Sequence, residues 1–135
     1  MVAMLAISAW AAAVTAAPRG VAALTISERG ASADPETAEI CKGFHPGANQ
    51  VKRFFQRAYP VESFVITTER YSPCYASGTI LFSDRNQGEW RLYSGGTATI
   101  RWNRGGTVDL LHKQRNGWRD PFAGAYGLCD DRSEC

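Results

Sequence analysis

The chain has 135 residues, enough for one domain and too few for two. Its 15 Lys and Arg against 13 Asp and Glu leave a net charge of +2. The basic residues are scattered from Arg19 to Arg132, which excludes the clustered basic stripe of a dedicated nucleic-acid binder.

Residues Met1 to Pro18 carry no charge, and Val2 to Val14 is apolar apart from Ser8. This pattern predicts a removable signal peptide over 1–16. Val14-Thr15-Ala16 supplies the small residues that a signal peptidase accepts, whereas cleavage after Ala17 would put Pro18 beside the cut. No Lys or Arg precedes the run, as one does in a standard leader. As a retained anchor the run falls short of the roughly 20 residues that span a bilayer, and its alanines make it weakly hydrophobic. Export would place Cys41, Cys74, Cys129 and Cys135 where thiols oxidise, so the four read as two disulfides with three pairings open. Cys41–Cys74 with Cys129–Cys135, the pairing nearest in sequence, is the one we favour. Cys41 and His45 have ligand spacing but no C-x-x-C accompanies them, so no metal site is expected.

Residues 17–33 are small and polar and read as a flexible leader to a single domain over 34–135. Asp34-Pro35-Glu36 has the form of a helix start, with Gly43 as the stop. A longer helix is predicted from Ala48 to Tyr59: Val51, Phe54, Phe55 and Ala58 form one apolar stripe, and Pro60 ends it. From Ser63 the period changes to two, giving strands at 63–68, 79–83, 89–93, 97–102 and 107–113. A loop through Asn103-Arg104-Gly105-Gly106-Thr107 pairs Trp102 with Val108, Arg101 with Asp109 and Ile100 with Leu110. The turn at Ser94-Gly95-Gly96 pairs Leu92 with Ala98, Trp90 with Ile100 and Glu89 with Arg101, and Phe82 then faces Trp90 and Ile80 faces Leu92. The expected fold is α+β, one or two N-terminal helices packed on an antiparallel β-meander of about five strands, with a small closed β-barrel as the alternative.

The most organised polar feature is the row Glu89, Arg101, Asp109 on the face away from the helix, with Arg91, Tyr93, Thr97 and Thr99 nearby; such a row is also ordinary sheet surface. A helix followed by strands carrying Glu89, Arg101 and His112 resembles the small secreted microbial ribonucleases, which implies Glu89 and His112 as general base and acid and Arg101 as the phosphate's support. The parity of residue 112 opposes this, because it points with Leu110 and Val108 toward the core. Ala76-Ser77-Gly78, Trp90, Gly96 and Ala98 resemble the sheet region of the periplasmic C-type lysozyme inhibitors over 76–98, which implies a small exported β-barrel that plugs a hydrolase cleft with a Ser-containing loop. Thr79, Ile80 and Leu81 stand where an aromatic residue is expected, and the tail after Leu111 differs. No Gly-x-Ser-x-Gly elbow, phosphate loop or calcium loop is present, so no cofactor is expected. The turn-rich stretch from Asn116 to Phe122 holds Trp118, Arg119 and Phe122, residue types common at contact hot spots; the competing reading is that Trp118 and Phe122 close the edge of the core.

These residues lead to the expectation of an exported, disulfide-stabilised binding module with an extracytoplasmic protein partner, an inhibitor of a lysozyme-like or other hydrolase among the options. The alternatives are a secreted ribonuclease-like enzyme and a structural envelope protein; no nucleic-acid partner and no membrane span after processing are expected. N-terminal sequencing of the exported protein should begin at Ala17, and a full-length chain retained in the cytoplasm would refute the leader.

Overall fold

Alternating apolar and polar side chains give a strand one dry face and one wet face. The computed structural model describes residues 19–123. Its elements, in chain order, are β1 (Val21–Ser32), a 3-10 turn (Pro35–Thr37), α1 (Ala38–Cys41), α2 (Ala48–Arg57), β2 (Tyr59–Pro60), a π-helical turn (Val65–Glu69), β3 (Cys74–Phe82), β4 (Gln87–Tyr93), β5 (Thr97–Trp102) and β6 (Thr107–Leu111). The strands form one open antiparallel sheet in the order β1-β3-β4-β5-β6-β2, so the architecture is a sheet-dominated α+β fold rather than a closed barrel. No helix among the described residues is long and apolar enough to cross a membrane.

Four expectations are corrected. Within the stretch 17–33 expected as a flexible leader, Val21–Ser32 is a twelve-residue strand paired along β3, with bulges that break its alternation. Consequently the helices do not precede the sheet but lie between its first strand and the rest. Residues 63–68 are not a strand. The β-branched run Val65-Ile66-Thr67-Thr68 suits one, but the chain here must return from β2 at one edge to β3 near the other. It does so as a turn closed by Arg70 N–H on Val65 O, with the Thr67 and Thr68 hydroxyls bonded to the carbonyls of Ser63 and Phe64. Finally, two hairpins are tighter than expected. Gly105 and Gly106 both take positive φ, Trp102 N–H meets Gly106 O, and Ile100 therefore faces Val108, Arg101 faces Thr107 and Thr99 faces Asp109. Phe82 N–H likewise meets Asn86 O, so that Ile80 faces Gly88 and Gly78 faces Trp90. Both slips are even numbers of residues and leave every side chain on its expected face. The β4–β5 register, Trp90 with Ile100 and Glu89 with Arg101, is as derived.

The dry face carries Ala76, Ile80, Phe82, Trp90, Leu92, Ala98, Ile100 and Leu110, all buried. The helix α2 covers it with Val51, Phe54 and Phe55, and the Phe55 and Trp90 rings lie 5.7 Å apart. An aromatic contact of this kind adds about 0.5–1.5 kcal/mol beyond the area it buries. The start of α2 is fixed by Gly47, whose N–H donates to Gln50 Oε1 at 2.8 Å. Asp34 caps the 3-10 turn by accepting from Glu36 N–H at 3.0 Å. Cys41 and Cys74 form a disulfide that ties α1 to the start of β3. With a sequence separation of 33 between the bonded positions, it stabilises by about 3–4 kcal/mol through the unfolded chain. Cys129 and Cys135 lie outside the described residues. At the β3–β4 turn the Asn86 N–H holds the Asp84 carboxyl below the usual carboxylate range, and Arg19 adds to the effect. The folded form gains from this above the ordinary carboxylate pKa and loses it as the pH falls through the lowered one.

Gly78 sits where β1, β3 and the Trp90 indole converge. A Cβ there would stand 1.9 Å from Thr25 O and 2.9 Å from the Trp90 ring. Backbone on one side and a buried indole on the other leave nothing flexible to yield. Gly78→Ala should therefore cost about 3 kcal/mol in urea denaturation; a loss below about 0.5 kcal/mol would show that β1 does not press on β3 in this way.

Candidate functional site

The wet face of the sheet is ordered into two rows that run across the strands. In one row Thr25, Thr79, Glu89, Arg101 and Thr107 are successive partners; in the other, Glu28, Ser77, Arg91, Thr99 and Asp109. Strand alternation places them there, and the backbone ladder fixes their spacing at about 4.8 Å from strand to strand.

The rows are internally bonded. Arg101 and Glu89 form an ion pair, both side chains being well exposed. Ser77 Oγ donates to Glu28 Oε1 at 3.1 Å, and Thr99 Oγ1 donates to Asp109 Oδ1 at 2.8 Å. The Thr25 and Thr79 hydroxyls are 2.6 Å apart. The Arg91 guanidinium lies 4.1 Å from the centre of the Tyr75 ring, which itself packs edge-on to Tyr93. On this face an open groove of about 480 Å³ is lined by residues that include Ser77, Thr79, Glu89, Arg91, Tyr93, Thr99, Arg101 and Thr107; Thr25, Glu28 and Asp109 stand at the ends of the rows outside that lining. A volume of that size is in the range of small-ligand sites.

The expected row of Glu89, Arg101 and Asp109 is thus brought together in part: Glu89 and Arg101 are partners, while Asp109 belongs to the neighbouring row opposite Thr99. His112 is not brought to them. It lies just past β6, half-buried, with its N–H on Gly96 O and its Nδ1 3.0 Å from Asn116 Oδ1. Thr107 is the β6 residue in the Glu89 row, and His112 is five residues farther along, about 17 Å at strand spacing. Proton transfer needs contact or one intervening water. Ser77 is in mid-strand and bonded to Glu28, not on a protruding loop.

Trp118 and Phe122 pack against the core from the tail. The Trp118 ring is 5.7 Å from Phe44 and 5.9 Å from Phe54, and its indole N–H donates to Ser94 O at 2.9 Å. Arg119 is exposed beside them. Sequence reasoning misses Thr25, Glu28 and Ser77 as members of the wet face, because the small residues of β1 resemble a leader and β3 begins before its first clear apolar run. The alternation Leu24-Thr25-Ile26-Ser27 is the available signal.

Removing the Trp118 indole takes away two ring contacts and leaves Ser94 O without its donor, so Trp118→Ala should lower stability by about 3 kcal/mol. Arg119→Ala should leave the denaturation midpoint unchanged; equal effects would mean that the indole is not packed as described. Compared with known proteins, the chain matches no family model, no curated protein and no solved structure.

Proposed function

We propose that the protein is an exported binding module that receives its partner on the wet face of the sheet. The observation that carries this reading is the groove itself: two rows of charged and hydroxyl side chains, mutually bonded and mounted on five hydrogen-bonded strands. Side chains held by strands lose little freedom on association, which favours binding. Export is supported by the Cys41–Cys74 bond, which suits an oxidising compartment, and cleavage after Ala16 would leave β1 whole.

An extracytoplasmic hydrolase is one partner class for such a face, in which case the protein is an inhibitor; a saccharide is the other. The ribonuclease-like reading keeps Glu89 and Arg101 in the groove but has its acid some 17 Å off, by the strand spacing used above. A structural envelope role would leave the groove unused. Trp118 and Phe122, bound into the core, are better suited to holding the fold than to meeting a partner.

The test compares retention from the exported fraction by wild type and by Glu89→Ala/Arg91→Ala, with lysozyme-inhibition and RNA-cleavage assays run beside it. Wild type should retain a species that the double variant loses by about ten-fold or more, while Arg119→Ala retains it. Equal retention by all three proteins would reject the wet face as the binding surface. RNA turnover that disappears in His112→Ala would replace the binding module by the enzyme.

A further inference from the structure

The charge arrangement of the two rows around the groove narrows its ligand, given that the wet face is the binding surface. The two rows contain three carboxylates, Glu28, Glu89 and Asp109, and two guanidiniums, Arg91 and Arg101. Arg101 is paired with Glu89. Arg91 is different. Its partners across the strands are Ser77 and Thr99, whose hydroxyls are turned to Glu28 and Asp109, and among the described residues it has no carboxylate partner. Its guanidinium carbon lies over the Tyr75 ring, 4.1 Å from the ring centre. Among the described residues its N–H groups have no hydrogen-bond acceptor, and a guanidinium can take an oxyanion with two parallel hydrogen bonds.

A polyanion is disfavoured here. Glu28 and Asp109 stand at the two ends of the row that holds Arg91, and Glu89 neutralises Arg101, so a ligand with a charge on every unit meets repulsion on either side of Arg91. A ligand with one negative group among neutral polar ones does not. Beyond Arg91 the groove offers carboxylate and hydroxyl acceptors, hydroxyl donors and the Tyr93 ring, an array matched to a polyhydroxylated body. Apolar pockets for the side chains of an extended peptide are not part of this lining.

We propose that the groove binds an oligosaccharide bearing isolated carboxylates, with Arg91 receiving a carboxylate and the flanking rows holding the neutral sugars. The assignment rests on the reading of the wet face as a binding surface, and the experiment separates the two.

Isotope-labelled protein is titrated with a tetrasaccharide of alternating N-acetylglucosamine and glucuronic acid, and with its methyl ester, which removes the charge and keeps the shape. Amide shifts should concentrate on β3, β4 and β5, and the ester should bind about ten-fold more weakly than the acid. Arg91→Gln should erase the difference between acid and ester, whereas Arg119→Gln should preserve it; thermal melts establish that both variants are folded. Equal binding of acid and ester, a difference that survives in Arg91→Gln, shifts centred elsewhere, or no binding at millimolar saccharide would each overturn the proposal. A tetrapeptide with a free C-terminal carboxylate is the remaining arm. If it binds in an Arg91-dependent way and the saccharide does not, the wet face stands as a binding surface and the saccharide assignment falls.

Discussion

The contact between Trp90 and Gly78 governs how the layers of this molecule come together. Trp90 is almost fully buried at the centre of the sheet, and its indole lies over the one position in β3 that has no side chain. The ring N–H is not stranded by burial, because it donates to Thr79 O at 3.0 Å. Against the same vacant Cβ position the Thr25 carbonyl of β1 comes closer than any Cβ would permit. A single absent methyl group therefore admits both the indole and the edge strand. Phe55 of α2 then packs on Trp90, so the helix layer is seated on the same point. The wet face inherits this arrangement: without β1 at that distance, neither Thr25 nor Glu28 would reach its hydroxyl partner on β3.

A second junction closes the opposite end. The Ser94 turn accepts the Trp118 indole N–H, and the Ser94 hydroxyl is within hydrogen-bond distance of Ser72 and Asp120. Its N–H donates to Cys74 O, next to the disulfide. Arg70 donates from Nε and Nη2 to Gly95 O at 3.2 Å each. The crossover, the β4–β5 turn and the tail thus share a set of buried polar contacts whose loss would expose unpaired groups to a low dielectric. This explains how a segment from Asn116 to Phe122, rich in turn-forming residues, is held against the sheet without regular structure: its indole and its Asp120 carboxylate supply the fixed points.

How far the sequence could be read depended on the kind of error each inference tolerates. Face assignment survived two wrong registers, since the loops at Ser83–Arg85 and Asn103–Gly105 moved pairs by even steps. Partner assignment did not, and Asp109 falls in the other row. The strand β1 was hidden because its bulges interrupt the period of two and because alanine and serine carry little signal. The run at Val65–Thr68 misleads for the reverse reason: a strong local preference for strand lost to the need to carry the chain back across the sheet. The candidate site was half legible. Glu89, Arg101 and Arg91 fall out of the alternation in β4 and β5, but the wet-face rows also need Ser77 and Glu28 beside them, and those depend on a pairing between segments about fifty residues apart.

The two faces of the sheet are therefore subject to different constraints. On the dry face each side chain is fixed by its neighbours: Trp90 needs Gly78, Phe55 needs Trp90, and Trp118 fills the space between Phe44 and Phe54. A change of one methylene is felt there. On the wet face, the backbone ladder holds the positions and the exposed side chains contribute little to stability; an ion pair such as Glu89 with Arg101 is worth at most about 1 kcal/mol. Such a face can change its chemistry without unfolding the protein. That the wet face nevertheless combines Arg91 over the Tyr75 ring, with no carboxylate partner among the described residues, and two hydroxyl–carboxylate pairs is not required by the fold, and it is this excess of order over structural need that directs attention to recognition at the wet face.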